Sequence, residues 1–330
     1  MITVVCRSAP RREVVRGAWE GICTTAKSAK IQYRSASYSL KSKYRMKTDK
    51  FVIRAMREDD IPGAMRLKTA ENWNQTEDDW RTLLNLDPTL CFVAAFDDNV
   101  VGTVTATNYS NELAWIGMML VDKDFRGRGL GKRLLTTLIE KLDSCQSIKL
   151  DATPSGLPLY KSLGFRKELA IHRMATTQFE TVPPNENEPS VKPLPESKWQ
   201  NVMDRDHAFF GADRSRLITE ILLSNKSWYV EREGRISGYL LTRSGSNCTQ
   251  LGPLIAETTE DAKILLLSAL KSFVGKPVLL DILHDKTDIQ ELLLSLGFQV
   301  QRSFTRMYFK SNSFAGSVQN QFLIAGPELG

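Results

Sequence analysis

Residues 115–133 read Trp115-Ile116-Gly117-Met118-Met119-Leu120-Val121-Asp122-Lys123-Asp124-Phe125-Arg126-Gly127-Arg128-Gly129-Leu130-Gly131-Lys132-Arg133. The first seven form an apolar run of strand length. From Leu130 onward, Leu134, Leu135, Leu138, Ile139 and Leu142 recur at the spacing of one helix face. A strand therefore hands over to a helix through a turn rich in glycine and arginine. Glycines there admit positive φ and close backbone approach. The first amides of the helix have no intrahelical partner, and the helix dipole adds positive potential. With Arg126, Arg128, Lys132 and Arg133 alongside, the turn suits a diphosphate.

The spacing decides which diphosphate carrier. A P-loop needs four residues between its first Gly and Gly-Lys, and only three separate Gly127 from Gly131. A dinucleotide fingerprint needs G-x-G-x-x-G, whereas Gly127, Gly129 and Gly131 run G-x-G-x-G. The pattern that fits is Arg-x-x-Gly-x-Gly at Arg126, Gly129 and Gly131.

Further on comes a second strand-like segment, Ile148-Lys149-Leu150-Asp151-Ala152. After it stands Leu157-Pro158-Leu159-Tyr160-Lys161-Ser162-Leu163-Gly164-Phe165, with a Tyr four residues before the Gly of Leu-Gly-Phe. Together these segments resemble the GNAT superfamily of acyl-CoA N-acyltransferases, and the likeness covers 51–177. It implies an α/β (α+β) fold with a mixed central sheet flanked by helices. Acetyl-CoA, or another acyl-CoA, is implied as co-substrate, with no metal. Backbone groups at Met119 and Val121 are implied to hold the pantetheine arm. Arg126, Gly127, Arg128, Gly129, Leu130, Gly131 and Lys132 are implied to cradle the diphosphate. Tyr160 is implied to protonate the leaving thiolate, or else it is a core aromatic. The base that frees the amine is open between Glu71, Glu112 and Asp151, with Glu71 placed first. Trp73 and Asp151 are expected beside the acceptor.

Working outward, the sequence repeats. Phe92 to Gly102 and Trp228 to Gly238 are each ten residues apart, and both pairs frame a hairpin-like segment. Gly164 to Arg173 and Gly297 to Arg306 are each nine apart, both within Leu-Gly-Phe…Arg-Met. A second copy is therefore expected over 199–310, and the chain resembles tandem-GNAT proteins with a degenerate C-terminal domain. Where the loop should recur stands Leu251-Gly252-Pro253-Leu254-Ile255-Ala256-Glu257-Thr258-Thr259-Glu260-Asp261, without the glycine run and with acids that repel phosphate. Leu293 stands where Tyr160 should recur. This copy is expected to bind no cofactor and either to close the acceptor side or to be purely structural. Five prolines mark 178–198 as a linker. Residues 311–330 are expected to form a loose tail.

The 330 residues are 42% hydrophobic and 25% charged, within the range of ordinary globular chains. No apolar run approaches the ~18 residues of a membrane span, so no membrane partner is expected. Residues 1–50 hold 12 of the 44 Lys and Arg and 3 of the 38 acids, a net of +9, which leaves the remainder at −3. The basic balance thus belongs to an N-terminal extension, and no nucleic-acid partner is expected. The extension is read as disordered, as a transit peptide or as a segment preceding a start at Met46, so a cytoplasmic location is expected, or a mitochondrial one if it is a transit peptide. The five cysteines are scattered without a CxxC, and the three histidines lie far apart. The expected activity is transfer of an acetyl group to a primary amine, with a small-molecule acceptor as partner. A protein lysine or N-terminal acetyltransferase and a non-catalytic acyl-CoA sensor are the alternatives.

Overall fold

The structure is a computed structural model that describes residues 51–182 and 190–330. The expectations placed on 1–50 and on the middle of the linker lie outside these residues. The first half runs β1 (Val52–Ala55), α1 (Ile61–Ala70), α2 (Glu77–Leu86), β2 (Cys91–Phe96), β3 (Asn99–Tyr109), β4 (Leu113–Val121), α3 (Leu130–Lys141), β5 (Ser147–Ala152), α4 (Leu157–Ser162) and β6 (Arg166–Thr176). The second half repeats that order element for element. It runs β7 (Val191–Pro193), α5 (Trp199–Phe210), α6 (Ser215–Ser224), β8 (Ser227–Arg232), β9 (Arg235–Arg243), β10 (Thr249–Ala256), α7 (Thr259–Leu270), β11 (Val278–Leu283), α8 (Thr287–Ser295) and β12 (Gln299–Lys310). One further strand, β13 (Gln321–Leu323), follows.

Local chemistry explains the repeat. Asp97 and Asp98 (φ 45° and 63°) turn β2 into β3, and Glu233 and Gly234 (φ 52° and 76°) turn β8 into β9. Paired positive φ values match the twist of a two-residue hairpin. Thr76 opens α2 with a capping box: its hydroxyl accepts from the Asp79 amide, and Asp79 accepts from the Thr76 amide. In the second half Thr258 caps α7 by accepting from the Asp261 amide.

The halves do not form two separate sheets. All the described strands join one sheet in the order β1-β2-β3-β4-β5-β12-β6-β11-β13-β10-β9-β8-β7. The closing strand of each half has crossed into the other: β12 lies between β5 and β6, and β6 lies between β12 and β11. The block β5-β12-β6-β11 therefore reads the same from either end. Two buried ion pairs mark the exchange. Arg306 on β12 grips Asp151 on β5 through Nε and Nη2 (3.0 and 3.1 Å). Arg173 on β6 grips Asp281 on β11 in the same way (2.8 Å twice). These are the two arginines of the Leu-Gly-Phe…Arg-Met repeat. A buried guanidinium off its partner leaves two uncompensated charges, so the pairs penalise any slip in register.

Helices α1, α2, α5 and α6 share one face, where Leu67, Trp80 and Leu83 meet Phe210, Leu217 and Ile221 in one apolar cluster. On the opposite face α3 packs on the first half and α7 on the second. Two expectations change. The linker ends earlier than Lys198, because Val191–Pro193 already pairs with β8 as an edge strand, where a proline lacks no needed bond. The stretch 311–330 is not loose: Phe322, Leu323, Ile324, Ala325 and Leu329 are all buried. Its apolar run was too short to reveal a strand by periodicity.

Candidate functional site

Strands β4 and β5 are bonded in parallel only over Leu113–Ile116 against Ser147–Leu150. Beyond that point both continue, but they part. A bulge accompanies the parting: Thr103 faces Leu120, Thr105 already faces Gly117, and Met118 takes a φ of 49°. The Thr103 hydroxyl holds the kink by donating to the Met118 carbonyl (2.7 Å). The opening leads into a cavity of about 760 Å³, within the range of small-molecule sites.

The glycine-rich turn forms one end of this cavity. Gly127 and Gly129 adopt φ of 76° and 77°, and a Cβ on either would meet nothing within 4 Å. Glycine serves the conformation there, while the open space leaves room for a ligand. Gly129 stands at the N-cap of α3. The first amide bonded within the helix belongs to Arg133, which donates to the Gly129 carbonyl (3.1 Å). The amides of Leu130, Gly131 and Lys132 precede the intrahelical ladder. Arg126 is tethered through Nε to the Val121 carbonyl (3.0 Å) and through Nη2 to Glu71 (2.7 Å). Met119, Val121, Arg126, Gly127, Gly129, Leu130, Gly131 and Lys132 all line the cavity. Arg128 does not; its guanidinium lies 5.1 Å above the Phe125 ring.

Tyr160 rises from α4 into the same cavity, with its ring edge-on to Phe165. Burial pushes its hydroxyl pKa up to about 12. Glu71 and Trp73 also line the cavity. The Glu71 carboxylate is held by Arg126, with Lys123 3.7 Å away, so as the structure stands it is an ion-pair partner of the loop rather than a free base. Glu112 does not line the cavity. Asp151 does, but both its oxygens accept from Arg306, so its work is to clamp β12 rather than to meet an acceptor.

Several wall residues had no sequence signal. Arg302 and Phe304 arrive on the exchanged strand β12, and Pro327 and Glu328 on the C-terminal segment. That segment is fastened by the Trp115 indole donating to the Pro327 carbonyl (3.0 Å), Tyr109 to the Leu329 carbonyl (2.9 Å) and Arg214 to the Gly330 carbonyl (2.8 Å). Glu328 lies against Gly117, where an added Cβ would stand 2.6 Å from the Glu328 Cβ. Burial opposes its charge, but Arg243 at 2.6 Å, aided by Gln75, brings the Glu328 pKa below the usual carboxylate value. The loop bearing Trp73 is also held by the second half: Ser246 donates to the Asn74 and Gln75 carbonyls, and the Asn247 and Cys248 amides donate to Asn74 Oδ1.

The equivalent cleft of the second half is filled. β10 and β11 pair only over Thr249–Leu251 against Val278–Leu280, and β13 occupies the gap beyond. Leu323 faces both Leu254 and Ile282 there. Gly252 lets the chain approach so closely that a Cβ would lie 2.0 Å from the Ile324 carbonyl oxygen. The acids at the former loop are paired within the protein: Glu257 with Arg205 and Arg235, and Asp261 with Arg232 and Ser237. Leu293, in the place of Tyr160, is fully buried. Among the described residues, no cluster of His, Cys, Asp and Glu could hold a metal ion, and no helix is long and apolar enough to cross a membrane.

Comparison with known proteins agrees with this duplicated architecture. Residues 53–165 match the model of the Acetyltransferase (GNAT) family, and residues 202–323 match that of an Acetyltransferase (GNAT) domain. The chain is 26% identical to the uncharacterized N-acetyltransferase YitH of Bacillus subtilis, over 64% of this chain and 74% of that protein. It is 25% identical to the holothin acyltransferase of a Pseudoalteromonas strain, over 79% of this chain and 88% of the relative. Among solved structures, an acetyltransferase-like chain of Pyrococcus horikoshii superposes with a TM-score of 0.72 at 25% identity, covering 85% of this chain and 96% of that one. A tandem GNAT protein from the clavulanic acid biosynthesis pathway shares the fold, with a TM-score of 0.57 at 13% identity, covering 78% and 98%. The strand–turn–helix site and the matched repeats make the same point: the chain belongs to the GNAT acetyltransferase family, as an acyltransferase with two GNAT domains in tandem.

Proposed function

We propose that this protein transfers the acetyl group of acetyl-CoA to a primary amine of a small molecule, at the open cleft between β4 and β5. The observation that carries this reading is the contrast between the halves: one cleft is open and lined by a glycine turn, the other is plugged by β13. The open cleft fits the coenzyme: a turn with room above Gly127 and Gly129, free helix amides and Lys132 at one end, and an opening beside Met119. Bound there, acetyl-CoA supplies the activated acyl carbon.

The protein's own groups then act in turn. Backbone amides at the β4 bulge orient and polarise the thioester carbonyl. The amine nitrogen forms a bond to the acyl carbon while the carbon–sulfur bond breaks. The sulfur takes one proton from Tyr160, whose buried hydroxyl is still protonated at neutral pH, while the nitrogen sheds one to water and water returns one to the tyrosinate. The tail and the loop carrying Trp73 wall the acceptor end, which supports a small acceptor over a protein surface.

The test is calorimetric titration of acetyl-CoA. Gly129→Glu sets a carboxylate at the mouth of the helix and costs about 1 kcal/mol of backbone strain without a clash. Affinity should fall by at least about 100-fold while the circular dichroism spectrum stays unchanged. Normal binding by that variant would falsify the assignment of the loop.

A further inference from the structure

The charges around the cavity do not cancel evenly. Of its acids, Glu71 is paired with Arg126, Asp151 with Arg306 and Glu328 with Arg243. Of its bases, Arg173 is spent on Asp281. Two cations remain without a carboxylate among the described residues. Lys132 stands at the glycine turn, where phosphate charge accounts for it. Arg302 reaches the cavity from β12, beside Arg173, with no acid of the described residues within ion-pair distance.

Arg302 is half-buried, and its position is costly. Burial, and then the neighbouring Arg173, make its charged form harder to hold than in water, with only partial relief from Asp281 and Glu71. A guanidinium in that setting, facing a cavity, is completed by an anion that brings two oxygens in one plane. The coenzyme's phosphates are assigned to the glycine turn and Lys132 at the start of α3, not to β12. The missing anion therefore belongs to the acceptor.

We infer that Arg302 receives a carboxylate of the acceptor, which makes the acceptor a free amino acid or a close analogue. Its amine is directed to the β4 bulge and its carboxylate to β12. This rests on the transferase reading above and adds the substrate class. The same surplus charge disfavours polyamines, which would bring like charge to Arg302. It also gives the strand exchange a role in recognition, because β12 belongs to the half that has lost the chemistry.

The experiment uses the full chain and follows thiol release from acetyl-CoA. Acceptors are offered as matched triads: an amino acid, its amide and the amine left on decarboxylation, drawn across the common amino acids, with spermidine added. The acid of at least one triad should exceed both relatives by about tenfold or more in kcat/KM. Arg302→Gln should raise KM for that acid by about 10- to 100-fold, the range of a lost charge-assisted bond. It should leave kcat within threefold, and the decarboxylated amine and the acetyl-CoA affinity unaffected. Arg302→Lys should recover part of the loss. Turnover of amides or amines as good as that of every acid overturns the inference and leaves the transferase reading standing. An equal loss on all acceptors in Arg302→Gln also overturns it, since a folding role predicts that pattern. Acetyl-CoA bound without thiol release on any acceptor overturns both readings.

Discussion

Burial pushes the Tyr160 hydroxyl up to about 12, so it holds its proton as a donor at neutral and mildly alkaline pH. Tyr160→Phe is therefore expected to lower kcat by about 100-fold, the low end for loss of a general acid. Acetyl-CoA affinity should stay within twofold by calorimetry. The rate should also show no alkaline fall below about pH 10 that the phenylalanine variant lacks. Glu328 makes a different prediction. Its folded pKa lies below the unfolded 4.5, so its contribution to stability is present above that value and is lost as pH falls through the folded one. At pH 7, Glu328→Ala should cost about 3 kcal/mol by leaving Arg243 without one of its carboxylates. In urea titrations the difference from the unaltered chain should shrink below pH 4.5 and close at more acid pH.

At the scale of the element, legibility followed the range of the contacts. The glycine turn, its strand and its helix were readable because each depends on neighbours within a dozen residues: Gly129 at φ 77° caps the helix whose periodicity starts at Leu130. Both hairpins were readable for the same reason. Strand β13 was not. Gln321–Leu323 has too few residues to show alternation, and it becomes a strand only because β10 and β11 leave a slot for it. The pairing of Asp151 was not legible for a related reason. Its partner Arg306 lies 155 residues away and arrives by strand exchange. The matched Gly-to-Arg spacings signalled that something was repeated, but not that each arginine serves the opposite half. The slot itself can be tested. Leu323→Ala removes a fully buried side chain that faces both β10 and β11, and should cost about 2–4 kcal/mol in chemical denaturation.

At the scale of the molecule, the exchange makes the halves interdependent. Cut at the linker, residues 1–182 would expose β5 and β6 as raw edges and leave Asp151 and Arg173 without their partners. Each fragment alone is expected to be aggregated or largely unfolded. Co-expressed fragments should associate and regain acetyl-CoA binding, as measured by gel filtration and calorimetry. Two independently folded, monomeric fragments would contradict the exchanged sheet.

That interlock bears on how such a chain persists through descent. Here the retired copy holds a strand in the middle of the working copy's sheet, and the working copy holds one in return, so loss of either is expected to unseat the other. Mutations are free to erase chemistry from one side, but not to remove its body, and the inherited surplus becomes raw material for choosing what the survivor will accept.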